Sequence, residues 1–283
     1  MKIPFFLVIT LITTFASANE NPNIFKYNVG TIDVWLLSEG QGVGNSSILI
    51  GATPDMLQSA IPDGSFPNSC NAFLLRFPSG RLMLVDTGRS SEILVENLKS
   101  VGVSPEQINA VLVTHIHGDH IGGMLNSGQV VFPNAEVYMS KQEHGFGLEN
   151  AGARTMIEAY ASKLRLFEPK EIDAQPDEIF PQLRAVAAFG HTPGHTLFLV
   201  ESGTDKLLIW GDLTHAMAIQ MPYPQVAVRF DVDSQKAVET RKKVLEYVAK
   251  NNITVAGMHN AYPGIGNLTK TNGGYEYKAV TEN

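Results

Sequence analysis

The chain has 283 residues, 44% of them hydrophobic and 17% charged, with a formal net charge of -7 at pH 7. That acidic balance excludes the basic footprint of a nucleic-acid-binding domain. Its single cysteine, Cys70, excludes an intrachain disulfide, so stability has to come from a buried core, which residues 19–283 are long enough to form as one large domain.

Residues 1–18 begin with Lys2, run apolar from Ile3 to Phe15 and close on Ala16-Ser17-Ala18, a small-x-small cleavage pattern. They predict a secretory signal peptide, and so a periplasmic or secreted protein with a net charge of -8 once the segment is removed. No later run of eighteen apolar residues follows, so no stable membrane anchor is expected. The first strand is expected at Ile32–Leu37. Residues 38–72, rich in Gly, Pro, Ser and Asn, read as a long loop over a pocket mouth, because Gly40-Gln41-Gly42-Val43-Gly44 has the wrong spacing for a dinucleotide fingerprint. Phe73–Phe77 and Leu82–Val85 form a hairpin around Pro78-Ser79-Gly80, and Ser91–Val101 carries Ile93, Leu94, Leu98 and Val101 at helical spacing.

Ala110–Val113 is a buried strand, and it runs into Thr114-His115-Ile116-His117-Gly118-Asp119-His120. Three histidines and an aspartate in six residues answer no folding requirement. Neutral imidazoles and a carboxylate are what a borderline cation accepts. His115 and His117 point the same way in extended chain, Asp119 and His120 follow in the turn toward a second cation, and Gly122-Gly123 lets the chain reverse. The motif thus ends a strand and opens a helix, where open sheets place their ligands.

Val137–Met139 is a short strand, and Ala151–Phe167 reads as a helix ended by Pro169. The pattern then repeats in kind: strand Leu183–Ala188, a loop with His191 and His195, strands Thr196–Glu201 and Lys206–Trp210, then Asp212. Ser234–Asn251 is the clearest helix, with Ala237, Val238, Arg241, Val244, Leu245 and Val248 in one stripe and Asp233 or Ser234 as cap. Thr254–Ala256, the last core strand expected, delivers His259. Two similar halves with no linker predict one α/β unit, a four-layer αββα sandwich.

In their spacing and order these residues resemble the metallo-β-lactamase superfamily over nearly the whole chain after residue 18. The resemblance implies that His115, His117 and His195 hold one cation, that Asp119, His120 and His259 hold a second, and that Asp212 bridges them. Each cation would then keep a position for a bridging hydroxide. Two divalent ions follow, zinc by default, although manganese, cobalt or iron would accept the same imidazoles and carboxylates. The implied enzyme is a hydrolase of a small ester, lactone or phosphotriester, with Asp119 accepting and returning the proton and His215 donating a hydrogen bond to the developing charge. N-acyl-homoserine lactonases of the superfamily place a tyrosine at the offset of His215, so histidine is a departure. Gly211–His215, Phe230–Asp233 and Tyr262–Gly266 look closer to the branch of methyl-parathion-hydrolase-like enzymes and related lactonases.

Asp212 also stands where the superfamily's β-lactamases carry cysteine or serine, which argues against antibiotic cleavage. Mononuclear-iron persulfide oxidation is the alternative reaction class, disfavoured by the second ligand set. Family members often dimerise, but no interface is readable. Among other polar residues, Asp86 reads as a carboxylate that orients a ligand imidazole or stabilises a turn, His191 as a supporting or catalytic group, and His144 as a surface histidine. Arg241, Lys242 and Lys243 read as a solvated helix face, and Met217, Met221, Tyr223 and Phe230 as core or pocket wall.

Overall fold

A computed structural model of the chain describes residues 21–174 and 178–281; the expected signal segment, 1–18, lies outside the described residues. Two seven-stranded mixed sheets pack face to face with helices outside them, the sandwich expected from the two halves. The first sheet runs Ile24–Val29, Ile32–Asn45, Ser65–Arg76, Leu82–Val85, Ala110–Leu112, Glu136–Ser140, Leu164–Phe167. The second runs Glu178–Phe180, Leu183–Ala187, Thr196–Ser202, Asp205–Ile209, Thr254–Ala256, Ile265–Lys270, Tyr275–Ala279.

The period-two alternation of a strand assigns each side chain to a layer. Val34, Leu36, Met83 and Val85 meet Phe198, Val200, Leu207 and Ile209 between the sheets. Trp35, Leu37, Leu82 and Leu84 face outward onto Leu94 and Leu98 of helix Ser91–Ser100 and Met156 and Ile157 of helix Ala151–Ala159. Leu197, Leu199 and Leu208 face the opposite way, onto Val244, Leu245 and Val248 of helix Ser234–Asn251. Strands buried on both faces are apolar throughout, which is why Leu82–Val85 reads as an unbroken run. Asp233 caps the last helix by accepting from Lys236 N at 2.9 Å. Among the described residues no helix is long and apolar enough to cross a membrane.

Three expectations fail locally. Residues 38–72 are not a loop: strands Ile32–Asn45 and Ser65–Arg76 extend through them as a two-stranded arm, with a register shift between Ser38 and Gln41 and helix Pro54–Ala60 beyond its tip. The glycines hid this, because Gly44 leaves the space that the Phe66 ring fills. Phe66 joins Ile61, Ala216, Ile219 and Val226 in a small satellite core.

The helix expected over Ala151–Phe167 stops at Ala159, and Leu164–Phe167 adds a parallel edge strand beside Glu136–Ser140. Apolar residues over so short a stretch fit both periods. Thr254–Ala256 is not the last strand of its sheet, since two more follow it. The strand Ile24–Val29 and the helix Lys141–Glu149 add to the elements that the sequence pattern signals.

Candidate metal centre

The turns after strands Leu82–Val85, Ala110–Leu112, Leu183–Ala187, Asp205–Ile209 and Thr254–Ala256 carry Asp86, the His115–His120 motif, His191, Asp212 and His259 to one edge of the sandwich. Gly211, at φ +53, makes the sharp turn into Asp212, and a Cβ there would collide with His195 Nε2. Asp212, only 2% exposed, receives the cluster: His120 Nε2 lies 3.1 Å from Oδ1, and His215, His259, His191 and His115 Nε2 lie 3.0, 3.2, 3.3 and 3.6 Å from Oδ2. His117 Nδ1 sits 3.0 Å from His115 Nε2 and 3.1 Å from His191 Nε2. Asp119, more open, is 3.6 Å from His259 Nε2 and 3.9 Å from His120 Nε2.

The far ring nitrogens fix the tautomers. Asp86 Oδ2 is 2.6 Å from His120 Nδ1, Asp231 Oδ1 is 2.9 Å from His191 Nδ1, and the carbonyl of Ser69 is 2.9 Å from His259 Nδ1. Thr114 Oγ1 gives its proton to Asp86 at 2.6 Å and so accepts from His115 Nδ1 at 3.0 Å. In its neutral form each of these four histidines spends its one N–H away from the centre and aims a lone pair into it. Lone pairs facing a carboxylate at hydrogen-bond distance repel unless a cation lies among them. His120 Nε2 and Asp212 Oδ1 are both buried without a hydrogen-bond partner, as this requires. The donor set therefore fits a pair of cations: His115, His117, His191 and Asp212 form one group of converging ligand atoms, and Asp119, His120 and His259 form another.

Where no cation is bound, the carboxylates draw protons onto His120, His191 and His259, which marks the centre as a place that demands positive charge. Burial alone would raise the Asp212 pKa, but the surrounding histidines, His120 foremost, hold it well below the usual carboxylate range. Burial disfavours a charged His120, yet Asp212 and Asp86 outweigh that and raise its pKa. Burial and the neighbouring His191 push His117 down to about 4, while Asp212 and Asp231 overcome burial to lift His191 to about 8.

His195 does not join the centre. Its Nδ1 donates to the carbonyl of Ala188 at 3.0 Å, and its Nε2 accepts the amide of Asp212 at 3.0 Å, so neither nitrogen is left for a metal. His191, four residues earlier, occupies the place expected for it. His195 directly precedes strand Thr196–Ser202 and is held by the sheet edge, whereas His191 sits mid-loop and projects beyond it.

A profile of the metallo-beta-lactamase superfamily matches residues 66–255. The chain belongs to the metallo-β-lactamase superfamily. An N-acyl homoserine lactonase of Bacillus cereus is 25% identical to it over 203 residues, 70% of this chain and 72% of the relative. The solved hydrolase AbOPH of the β-lactamase superfamily superposes with a TM-score of 0.83 at 26% identity, covering 93% of this chain and 99% of that one. AidC, a dizinc quorum-quenching lactonase, superposes with a TM-score of 0.82 at 24% identity over 92% and 98% of the two chains, a likeness of fold. The protein is a metal-dependent hydrolase of this superfamily, lactonase-like, with His/Asp clusters for two metal ions.

In this metallo-β-lactamase-fold hydrolase the remaining polar residues fall into place. Asp86, fully buried with its backbone at φ +57, accepts from Thr114 N at 2.8 Å as well as from His120, so it orients the imidazole and ties two strand ends together. Arg241 is not on a solvated face: it is 1% exposed and donates to the carbonyls of Leu213, Pro224 and Val226 at 2.7, 3.1 and 2.8 Å, with Asp231 at 4.0 Å. Lys242 and Lys243 are exposed as expected. His215, 4% exposed, stacks on His259 with ring centroids 5.0 Å apart and lies 5.9 Å from the Phe230 ring. Burial lowers its pKa to about 4. Of the four apolar candidates only Phe230 borders the centre; Met217, Met221 and Tyr223 pack in cores. His144 is half-buried on helix Lys141–Glu149, outside the cluster.

Proposed function

We propose that this protein is an exported dinuclear hydrolase, zinc-dependent by preference, that opens a lactone or cleaves a small ester or phosphotriester. The convergence of four fixed histidine lone pairs on Asp212 carries the reading. His115, His117 and His191 would hold one cation, Asp119, His120 and His259 the other, and Asp212 would lie between them. Bound ions supply Lewis acidity toward the substrate oxygen and a water acidic enough to be a nucleophile near neutral pH. With no thiolate in the set, manganese, cobalt or iron remain acceptable occupants.

The protein's own groups supply the rest. Asp119, whose side chain is 26% exposed, is the one carboxylate of the centre open to substrate, and its Oδ atoms take the proton from the attacking water and return it to the leaving oxygen. His215 Nε2 lies 3.0 Å from Asp212 Oδ2, and with the centre loaded its N–H would turn from that carboxylate to the carbonyl or phosphoryl oxygen that gains charge beside it. Phe230 and Val232, 42% and 54% exposed, form an apolar lip that receives the hydrocarbon part of the substrate and keeps water from it. Lactones are the favoured class, because the relatives named above include lactonases. Export rests on the Lys2, Ile3–Phe15 and Ala16-Ser17-Ala18 pattern, and N-terminal sequencing of secreted protein checks it.

The test is a hydrolysis panel of acyl-homoserine lactones, aryl esters, phosphotriesters and β-lactams, with metal content measured on the same sample. Turnover of a lactone, ester or phosphotriester with about two metals per chain is expected. No turnover of these three classes by the loaded protein would refute the proposal.

A further inference from the structure

Glu143 lies outside both ligand sets, yet its carboxylate joins them. It belongs to helix Lys141–Glu149 and is completely buried. Oε1 accepts the amide of Ile116 at 2.9 Å, between His115 and His117. Oε2 accepts the hydroxyl of Thr192 at 2.7 Å and the amide of Gly194 at 2.9 Å, in the loop that begins with His191. An ionised carboxylate only accepts, so three donors from two separate loops suit it, and no Lys or Arg is paired with it among the described residues.

The surroundings are shaped around this contact. Ser140 caps the helix by accepting from Glu143 N at 3.1 Å and donates its own proton to the carbonyl of Gly194 at 2.8 Å. Gly194 passes so close that a Cβ would collide with Glu143 N. The two loops come from different sheets, the first following Ala110–Leu112 and the second following Leu183–Ala187, and each brings histidines of the same cluster.

We infer that Glu143 is a positioning residue that locks the His115–His117 turn to the His191–Gly194 loop, so that this three-histidine site is assembled before a cation arrives. The inference rests on the ligand set proposed above, but it is read out in metal-free protein and in affinity, not in turnover. Gln in place of Glu143 would set an NH₂ against at least one of the three donors. Loop order should fall, and metal affinity should drop by about 10- to 100-fold, the usual cost of losing an outer partner of a ligand.

The experiment compares wild type, Glu143→Gln and Glu149→Gln, the last removing a charge from an exposed position of the same helix. Amide hydrogen exchange of Ile116 and Gly194 is followed in apo protein, and zinc affinity is measured by competition with a chromophoric chelator. Expected for Glu143→Gln are exchange at both amides faster by about tenfold or more and the stated loss of affinity, with Glu149→Gln matching wild type. Exchange and affinity within twofold of wild type in Glu143→Gln, or the same losses in Glu149→Gln, would overturn the inference. Should Glu143→Gln not fold, Thr192→Val removes one donor at nearly constant shape and carries the test: faster exchange at Gly194 and weaker zinc binding support the inference, and no change overturns it. If wild type binds two metals but turns over nothing on the panel, the proposed function falls while this result stands.

Discussion

The two histidines of Gly190–Thr196 make opposite predictions. In His191→Ala a ligand nitrogen is lost. Zinc binding to a complete four-ligand site amounts to roughly 10–16 kcal/mol, so about a quarter of it, some 2.5–4 kcal/mol, should go with one ligand, an affinity loss of roughly 70- to 900-fold at that site. In His195→Ala no ligand is lost. The Ala188 carbonyl and the Asp212 amide lose buried partners at 3.0 Å each, and a cavity opens beneath Asp212. Two orphaned groups at about 1–3 kcal/mol apiece give a destabilisation of about 2–6 kcal/mol, or roughly 5–20 °C in melting temperature for a domain of this size. The assay pairs elemental analysis after equilibration at micromolar zinc with thermal melts of apo and loaded protein. His195→Ala should melt early and still take up two metals when folded; His191→Ala should hold one. A His195→Ala protein that holds one metal, beside a His191→Ala protein that holds two, would refute the assignment.

Further outcomes follow from the supporting residues. Asp231→Asn removes the carboxylate that fixes the His191 tautomer and should weaken metal binding by about 10- to 100-fold, read by chelator competition; affinity within twofold of wild type would contradict it. Arg241→Met takes a donor from three carbonyls, of which Val226 keeps a second in the Gln220 amide, and leaves buried Asp231 without its arginine, so urea unfolding should report a loss of about 3–5 kcal/mol; a loss under about 1 kcal/mol would mean that the arginine is not structural. His215→Phe keeps a ring against His259 but no N–H, so kcat should fall by about 10- to 100-fold at unchanged metal content, the worth of one charge-assisted hydrogen bond. An unchanged kcat would remove His215 from the mechanism.

The sandwich and most of the centre were legible because their signals are local. A dense His/Asp motif after an apolar strand, an aspartate after Trp210 and a histidine after Ala256 each announce a strand end, and strand ends at one edge converge. Pairwise partnerships between distant residues were not legible. Whether His191 or His195 meets the motif depends on Asp231, Ala188 and the turn at Gly211, none of which is adjacent in sequence to the histidine it governs. Arg241 occupied an apolar stripe and was still read as solvated, because three carbonyls from the segment Leu213–Val226 are invisible to periodicity. The arm at Ile32–Asn45 escaped for a related reason: glycine carries no hydropathy, and the Phe66 ring that justifies Gly44 lies on the opposite strand.

If two cations share Asp212, cleavage of the lactone, ester or phosphotriester depends on that carboxylate. The most direct measurement is metal content and turnover of the best panel substrate on matched samples of wild type and Asp212→Ala. Wild type should hold about two metals per chain and turn the substrate over, and the variant should lose the paired metals with nearly all turnover. An Asp212→Ala protein that keeps two metals and full activity would contradict it.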